Sequence, residues 1–154
     1  MSKLQTVIDH AEEHCKANGS RLTNKRKQVL SSLIKSQKAL SAYDIVNLCR
    51  EDFGESILAM SVYRILDFLE SEHLVHKLNI ANKYVACSHI TCDHDHGVPQ
   101  FLICKECDKV KEISVSKSTL NELKASVEKA EFHLVTPQLE MNCICSNCHS
   151  NNIH

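Results

Sequence analysis

Residues 61–87, SVYRILDFLESEHLVHKLNIANKYVAC, decide how the chain folds. The first part sets Val62, Ile65, Leu66 and Leu69 at i, i+3, i+4 and i+7. That spacing predicts a helix over 61–72, with Arg64, Asp67 and Ser71 turned away from the apolar face. The second part holds two short β-forming runs, 74–78 and 83–87, around a turn at 79–82, which is the pattern of a hairpin. A helix leading directly into a two-stranded hairpin, with more helices before it, spells a winged helix-turn-helix.

Three helices are expected upstream. Residues 4–18 carry Leu4, Val7, Ile8, Ala11 and Cys15 on one helical face, and Asn18-Gly19 ends the run. Thr23 is a candidate N-cap for a second helix whose inner stripe is Val29, Leu30, Leu33 and Ile34. Ser41 precedes a third over 42–51, with Tyr43, Ile45, Val46 and Cys49 available for packing. From Arg21 to Ser41 there are six basic residues (Arg21, Lys25, Arg26, Lys27, Lys35, Lys38) and no acidic one. Such a patch suits phosphate contacts, and equally a solvated helix face.

Downstream of the hairpin the composition shifts. Residues 88–99 are rich in His, Cys and Asp and read as a hinge or metal-bearing loop. Residues 100–104 and 110–115 read as strands around a Cys-x-x-Cys turn. Residues 116–130 read as a helix with Leu120, Leu123 and Val127 on one face. Residues 132–143 can supply further strands, although Pro137 is ill suited to a central one. The expected class is α+β: a winged helix over 1–86, a hinge and metal-sensing loop over 87–99, and a small C-terminal α/β domain over 100–154.

The composition narrows the function. A chain of 154 residues makes one ordinary domain or two small ones. No apolar run approaches the ~18 residues of a membrane span. The N-terminus lacks the apolar segment and cleavage site of a secretory signal, so a cytoplasmic location is expected. In a reducing compartment, nine cysteines, an odd count, beside ten histidines read as metal ligands rather than as a disulfide set.

Cys104-Lys-Glu-Cys107 and Cys145-Ser-Asn-Cys148 are two knuckles whose thiolates can close on one tetrahedral Zn²⁺. Four thiolates leave no open position, so the site reads as structural; unrelated thiols or a redox pair are the other reading. The intervening segment must close as strand, helix and strand, and so small a domain needs a staple. A second group mixes donors: His76 in the hairpin, Cys87 at its end, His89, Cys92, His94 and His96 beyond it, and Glu112 after the first knuckle. Zinc accepts nitrogen, sulfur and oxygen together. Ferrous and manganous sites lean on imidazole and carboxylate, so the Cys87 thiolate tilts the choice toward zinc and leaves iron as the competing metal. Ligands drawn from both halves of the chain turn metal binding into a conformational signal.

The second helix of a helix-turn-helix enters the major groove with its N-terminal residues at the base edges. Ser61 can meet a phosphate or a base, Tyr63 a phosphate or a thymine methyl, and Arg64 a guanine in bidentate fashion. Arg21 and Lys25 are the candidate contacts from the basic patch. An enzyme is not expected. Zinc deaminases pair His-x-Glu with Pro-Cys-x-x-Cys, whereas this chain has His94-Asp-His96 and no proline before Cys104. A zinc-ribbon interaction module without DNA specificity is a further alternative.

Several motifs in order, Arg21-Leu-Thr-x-x-Arg26, Leu40-Ser-Ala-Tyr-Asp44, Ser61-Val-Tyr-Arg-x-Leu66, Val75-His76, Phe101-Leu-Ile-Cys-x-x-Cys107, Leu139-Glu140 and Cys145-x-x-Cys148, resemble the ferric uptake regulator family of bacterial metal-dependent repressors. Cys87, Val75-His76-Lys77, and the separation of His94-Asp-His96 from the Leu-Ile-Cys strand by Gly97-Val-Pro-Gln100 resemble its zinc uptake regulator branch. The resemblance implies a homodimer joined through the C-terminal domains, double-stranded palindromic operator DNA as partner, and repression of zinc-uptake genes with zinc as corepressor. About two Zn²⁺ per subunit are implied. An iron- or peroxide-sensing repressor of the same family is the alternative. It further implies Cys104, Cys107, Cys145 and Cys148 as structural ligands and His76, Cys87, His96 and Glu112 as sensing ligands, with His94 competing with His96. Tyr63 and Arg64 match positions that contact operator DNA. Cys143 stands where relatives usually have glycine and is a competitor for Cys145; Cys92 is also extra.

Overall fold

The fold is that of a computed structural model, which describes residues 3–54, 56–79, 82–88, 90, 99–135 and 137–152. Two compact units divide the chain, Met1–Asp93 and His94–His154.

The first unit is four helices and a hairpin: α1 (Lys3–Ala17), α2 (Asn24–Ser36), α3 (Ala42–Phe53), α4 (Ala59–Ser71), β1 (Val75–Leu78) and β2 (Lys83–Ala86). Each helix buries the stripe that its period marks. Ile8, Ala11 and Cys15 face inward from α1, Val29, Leu30 and Leu33 from α2, and Val62, Leu66 and Leu69 from α4. The capping residues act locally. The Thr23 hydroxyl accepts the Arg26 N–H, and Ser41 and Asp44 form a reciprocal capping box at the start of α3. Gly54, at φ +65°, ends α3 in the left-handed region, where a Cβ would be strained.

Two expectations are corrected here. Tyr43 does not pack; it is 66% exposed, because α3 turns Ala42, Ile45 and Cys49 inward and the next residue round the helix lies about 100° away. The fourth helix begins at Ala59, with Leu58 as an N-cap that offers no side-chain hydrogen bond, so Ser61 lies in its first turn and does not open it.

The hairpin pairs Val75 with Ala86 and His76 with Val85. It is also tied to the helices. Leu40 and Tyr84 exchange both backbone hydrogen bonds, at 2.9 and 2.8 Å, so the α2–α3 connection adds a third line to the wing.

The second unit contains β3 (Pro99–Cys104), β4 (Val110–Ser114), α5 (Lys117–Lys129), β5 (Glu140–Cys143) and α6 (Ser146–Asn152). The sheet order is β4-β3-β5, with β3 antiparallel to β4 and parallel to β5. The parallel pairing requires the crossover that α5 supplies. Phe101 is the only large apolar side chain of this unit that is fully buried among the described residues, and α5 buries none of its residues. Gln100 is buried as well; its side chain donates to the Pro137 carbonyl and accepts from the Leu139 N–H, anchoring the approach to β5.

Leu66→Ala is expected to destabilise the first unit by about 2–5 kcal/mol, since a fully buried side chain leaves a cavity. Tyr43→Ala is expected to change stability by less than about 0.5 kcal/mol. Urea unfolding followed by circular dichroism measures both.

Candidate metal centre and nucleic-acid interface

The four knuckle cysteines come together through three separate backbone features. Strand β3 ends at Cys104, and Asp108, in the left-handed region at φ +63°, donates its N–H to the Cys104 carbonyl at 3.0 Å. That turn carries Cys107 back toward Cys104. Strand β5 brings Cys143 opposite Cys104 in register, and two residues on the Cys145 N–H donates to Cys104 Sγ at 3.3 Å. Helix α6, which the sequence reading did not anticipate, then turns Cys148 toward the other three.

The four Sγ atoms lie within 4.8 Å of one another, and Cys107 Sγ is 3.8 Å from Cys145 Sγ. A tetrahedral zinc with Zn–S near ~2.3 Å needs sulfur–sulfur edges of about 3.8 Å. A disulfide would need about 2.05 Å, and these cysteines are free thiols. Two N–H groups, first that of Cys145 and then that of Cys107, lower the Cys104 thiol to about 6. The neighbouring Cys145, Cys107 and Cys104 sulfurs push Cys148 up to about 12. One thiolate thus opposes the next, and a divalent cation is what permits four together. The donor set fits zinc. Cys143, half-buried, stands outside this foursome.

His76 and Cys87 share one face of the wing. His76 is opposite Val85, and Cys87 lies two residues beyond Val85, where the strand period returns to the same side. The Cys87 N–H donates to the Leu74 carbonyl at 2.9 Å, which holds the chain in register past the end of β2. The His76 ring nitrogen and Cys87 Sγ lie within 4.8 Å of each other. Glu112 is half-buried on β4 of the second unit, opposite Phe101. His89, Cys92, His94 and His96 lie outside the described residues.

The nucleic-acid side is built on α4. Ser61 and Arg64 are exposed and Tyr63 is half-buried. The first turn has no acidic residue and its N-cap Leu58 offers no side-chain hydrogen bond, which suits the approach of an anion. Leu58 and Met60, 76% and 67% exposed, precede Ser61; the apolar period does not single them out, because it finds buried stripes only. The six basic residues divide. Lys27 pairs with Glu12, Lys35 lies 4.0 Å from Asp52, and Arg26 stacks on Phe68. Arg21, Lys25 and Lys38 are exposed, with no ion-pair partner among the described residues. Arg21 and Lys25 line one open cavity of about 590 Å³ beside the start of α2.

The profile of the ferric uptake regulator family matches residues 17–149. The chain belongs to the ferric uptake regulator family. The zinc uptake regulation protein of Escherichia coli is 33% identical over 144 residues, covering 94% of this chain and 82% of that one. The ferric uptake regulation protein of Helicobacter pylori is 27% identical over 153 residues, covering 96% and 95%. A solved structure of a zinc uptake regulator complexed with zinc and DNA is similar over the whole of both chains, with a TM-score of 0.85 at 29% identity.

Membership of the ferric uptake regulator family makes the chain a regulator rather than an enzyme, with the α+β architecture expected from its sequence. No helix among the described residues is long and apolar enough to cross a membrane. The four sulfurs that meet are those of the two Cys-x-x-Cys knuckles, and the competitor Cys143 is not among them. Cys104→Ser is expected to lose one zinc per chain and to unfold the second unit. Cys143→Ser is expected to keep that zinc. Metal analysis of the purified variants, paired with thermal unfolding, checks both.

Proposed function

We propose that the chain is a zinc-responsive transcriptional repressor that binds palindromic operator DNA as a homodimer, with zinc as corepressor, and controls zinc-uptake genes in the cytoplasm. The observation that carries this reading is the His76–Cys87 pair: an imidazole and a thiol within 4.8 Å on the wing of the DNA-reading unit. Thiolate with imidazole suits zinc better than iron. Bound zinc supplies a divalent charge and a tetrahedral demand that hold unlike donors together.

Cys104, Cys107, Cys145 and Cys148 are structural ligands that close the C-terminal unit. His76, Cys87 and Glu112, with His96 or His94, are the sensing ligands. His76 and Cys87 belong to the winged helix and Glu112 to the other unit, so shared ligation favours one orientation of the reading head. The dimer forms through the C-terminal units. In support, α5 buries no side chain, and Phe132 and Val135 beyond it are 70% and 92% exposed, apolar surface that a second copy can cover. Two-fold symmetry sets two copies of α4 on successive half-sites. Ser61, Tyr63 and Arg64 read bases there, and Arg21 and Lys25 hold phosphates.

Operator binding measured across buffered free zinc tests the reading. Wild type is expected to tighten by about 5–150-fold as zinc rises. His76→Ala and Cys87→Ser are expected to remain folded dimers that have lost this response. If removing the sensing zinc, with the four-cysteine site still loaded, leaves operator affinity unchanged, the reading fails. Arg64→Ala is expected to cost about 1–3 kcal/mol of discrimination at one base pair, read from a panel of single-substitution duplexes.

A further inference from the structure

Arg26 sits inside the basic patch, yet its side chain is engaged within the protein. The Thr23 cap fixes its backbone N–H at 3.4 Å in the first turn of α2. From there the guanidinium lies over the Phe68 ring of α4, with Cζ 3.7 Å from the centroid. Its Nη1 donates to the Arg21 carbonyl at 2.7 Å. A planar guanidinium can stack with its face and donate from its edge at once, which an ammonium cannot.

The three points that Arg26 joins carry the two halves of the proposed interface. Arg21 is exposed, so fixing its carbonyl fixes where its side chain starts. Phe68 stands one helical turn beyond Arg64 on α4, so the stack lies beside the base-reading residues. The same turn is anchored at its other end, where the Glu72 carboxylate accepts from Asn18 at 3.1 Å and from Ser20 at 2.8 Å. The α1–α2 turn is therefore clamped to α4 at both ends, and Arg26 is the clamp nearer the reading residues.

We infer that Arg26 is a positioning residue for DNA reading: stacked on Phe68 and bonded to the Arg21 carbonyl, it sets the distance between the phosphate-holding residues Arg21 and Lys25 and the base-reading residues of α4. The inference rests on α4 being the DNA-reading helix. It assigns Arg26 a role distinct from that of its basic neighbours, because its charge does not touch DNA.

The test uses the zinc-loaded full chain and a duplex that the wild type selects from random-sequence DNA, beside a scrambled duplex. Arg26→Lys keeps the charge and loses the plane. It is expected to weaken the selected duplex about ten-fold, which corresponds to ~1.4 kcal/mol, and to leave the scrambled duplex nearly unchanged. The slope of log affinity against log salt is expected to stay at the wild-type value, whereas Arg21→Ala lowers it by about one phosphate. Phe68→Leu is expected to give the same loss as Arg26→Lys, the double variant no further loss, and Phe68→Tyr wild-type binding. Thermal unfolding is followed for each variant, and the Phe68 pair decides the matter if Arg26→Lys unfolds. Wild-type binding by both Arg26→Lys and Phe68→Leu overturns the inference. So does an equal loss on both duplexes, which makes Arg26 a phosphate contact. A wild type that selects no duplex with zinc present instead sinks the DNA-binding reading itself.

Discussion

The second unit depends on four sulfurs arriving at one point. Among its described residues the buried apolar side chains are Phe101 and Cys104, and α5 buries nothing. A sheet of three short strands with a parallel crossover needs something more than burial to stay closed. Cys104 and Cys107 lie at the end of the central strand, and Cys145 and Cys148 at the end of the strand beside it. Their convergence therefore ties together the adjacent C-terminal ends of two parallel strands that the crossover separates in sequence. It also depends on a charge balance that the sulfurs cannot reach alone, since Cys104 is held toward its thiolate while Cys148 is held strongly against it.

The first unit is stabilised differently. It has a continuous apolar core running from α1 through α4 to the hairpin. The paired hydrogen bonds between Leu40 and Tyr84 make the wing part of that body and not a flap hung from it. The proposed sensing residues His76 and Cys87 thus ride on the same rigid element as the proposed reading helix. A ligand pair on such a platform can pass its occupancy on as orientation, because the platform does not absorb the change.

Charge within this unit is also divided by packing. Local composition suggests one basic surface, but Lys27, Lys35 and Arg26 are engaged by Glu12, Asp52 and Phe68. What is left exposed without an ion-pair partner among the described residues is a smaller set, Arg21, Lys25 and Lys38. A phosphate-binding surface is thus defined as much by which cations are already occupied as by how many there are.

Much of the fold was legible from residues alone. The stripes of α1, α2 and α4, the Thr23 and Ser41 caps and the wing hairpin follow from period and capping chemistry, which act over one or two turns and need no distant partner. The two knuckles were legible as a four-thiol set because ligand spacing is a local constraint. The exposure of Tyr43, the early start of α4 and helix α6 were not legible, since each is set by what packs alongside and not by the residue itself. Nor could spacing rule out Cys143 as a competitor of Cys145, or tell Arg26 from Lys25. Strand register separates the first pair, and an aromatic ring from another helix separates the second. Both are contacts between residues roughly forty positions apart, and the chain encodes such neighbours only once it has folded.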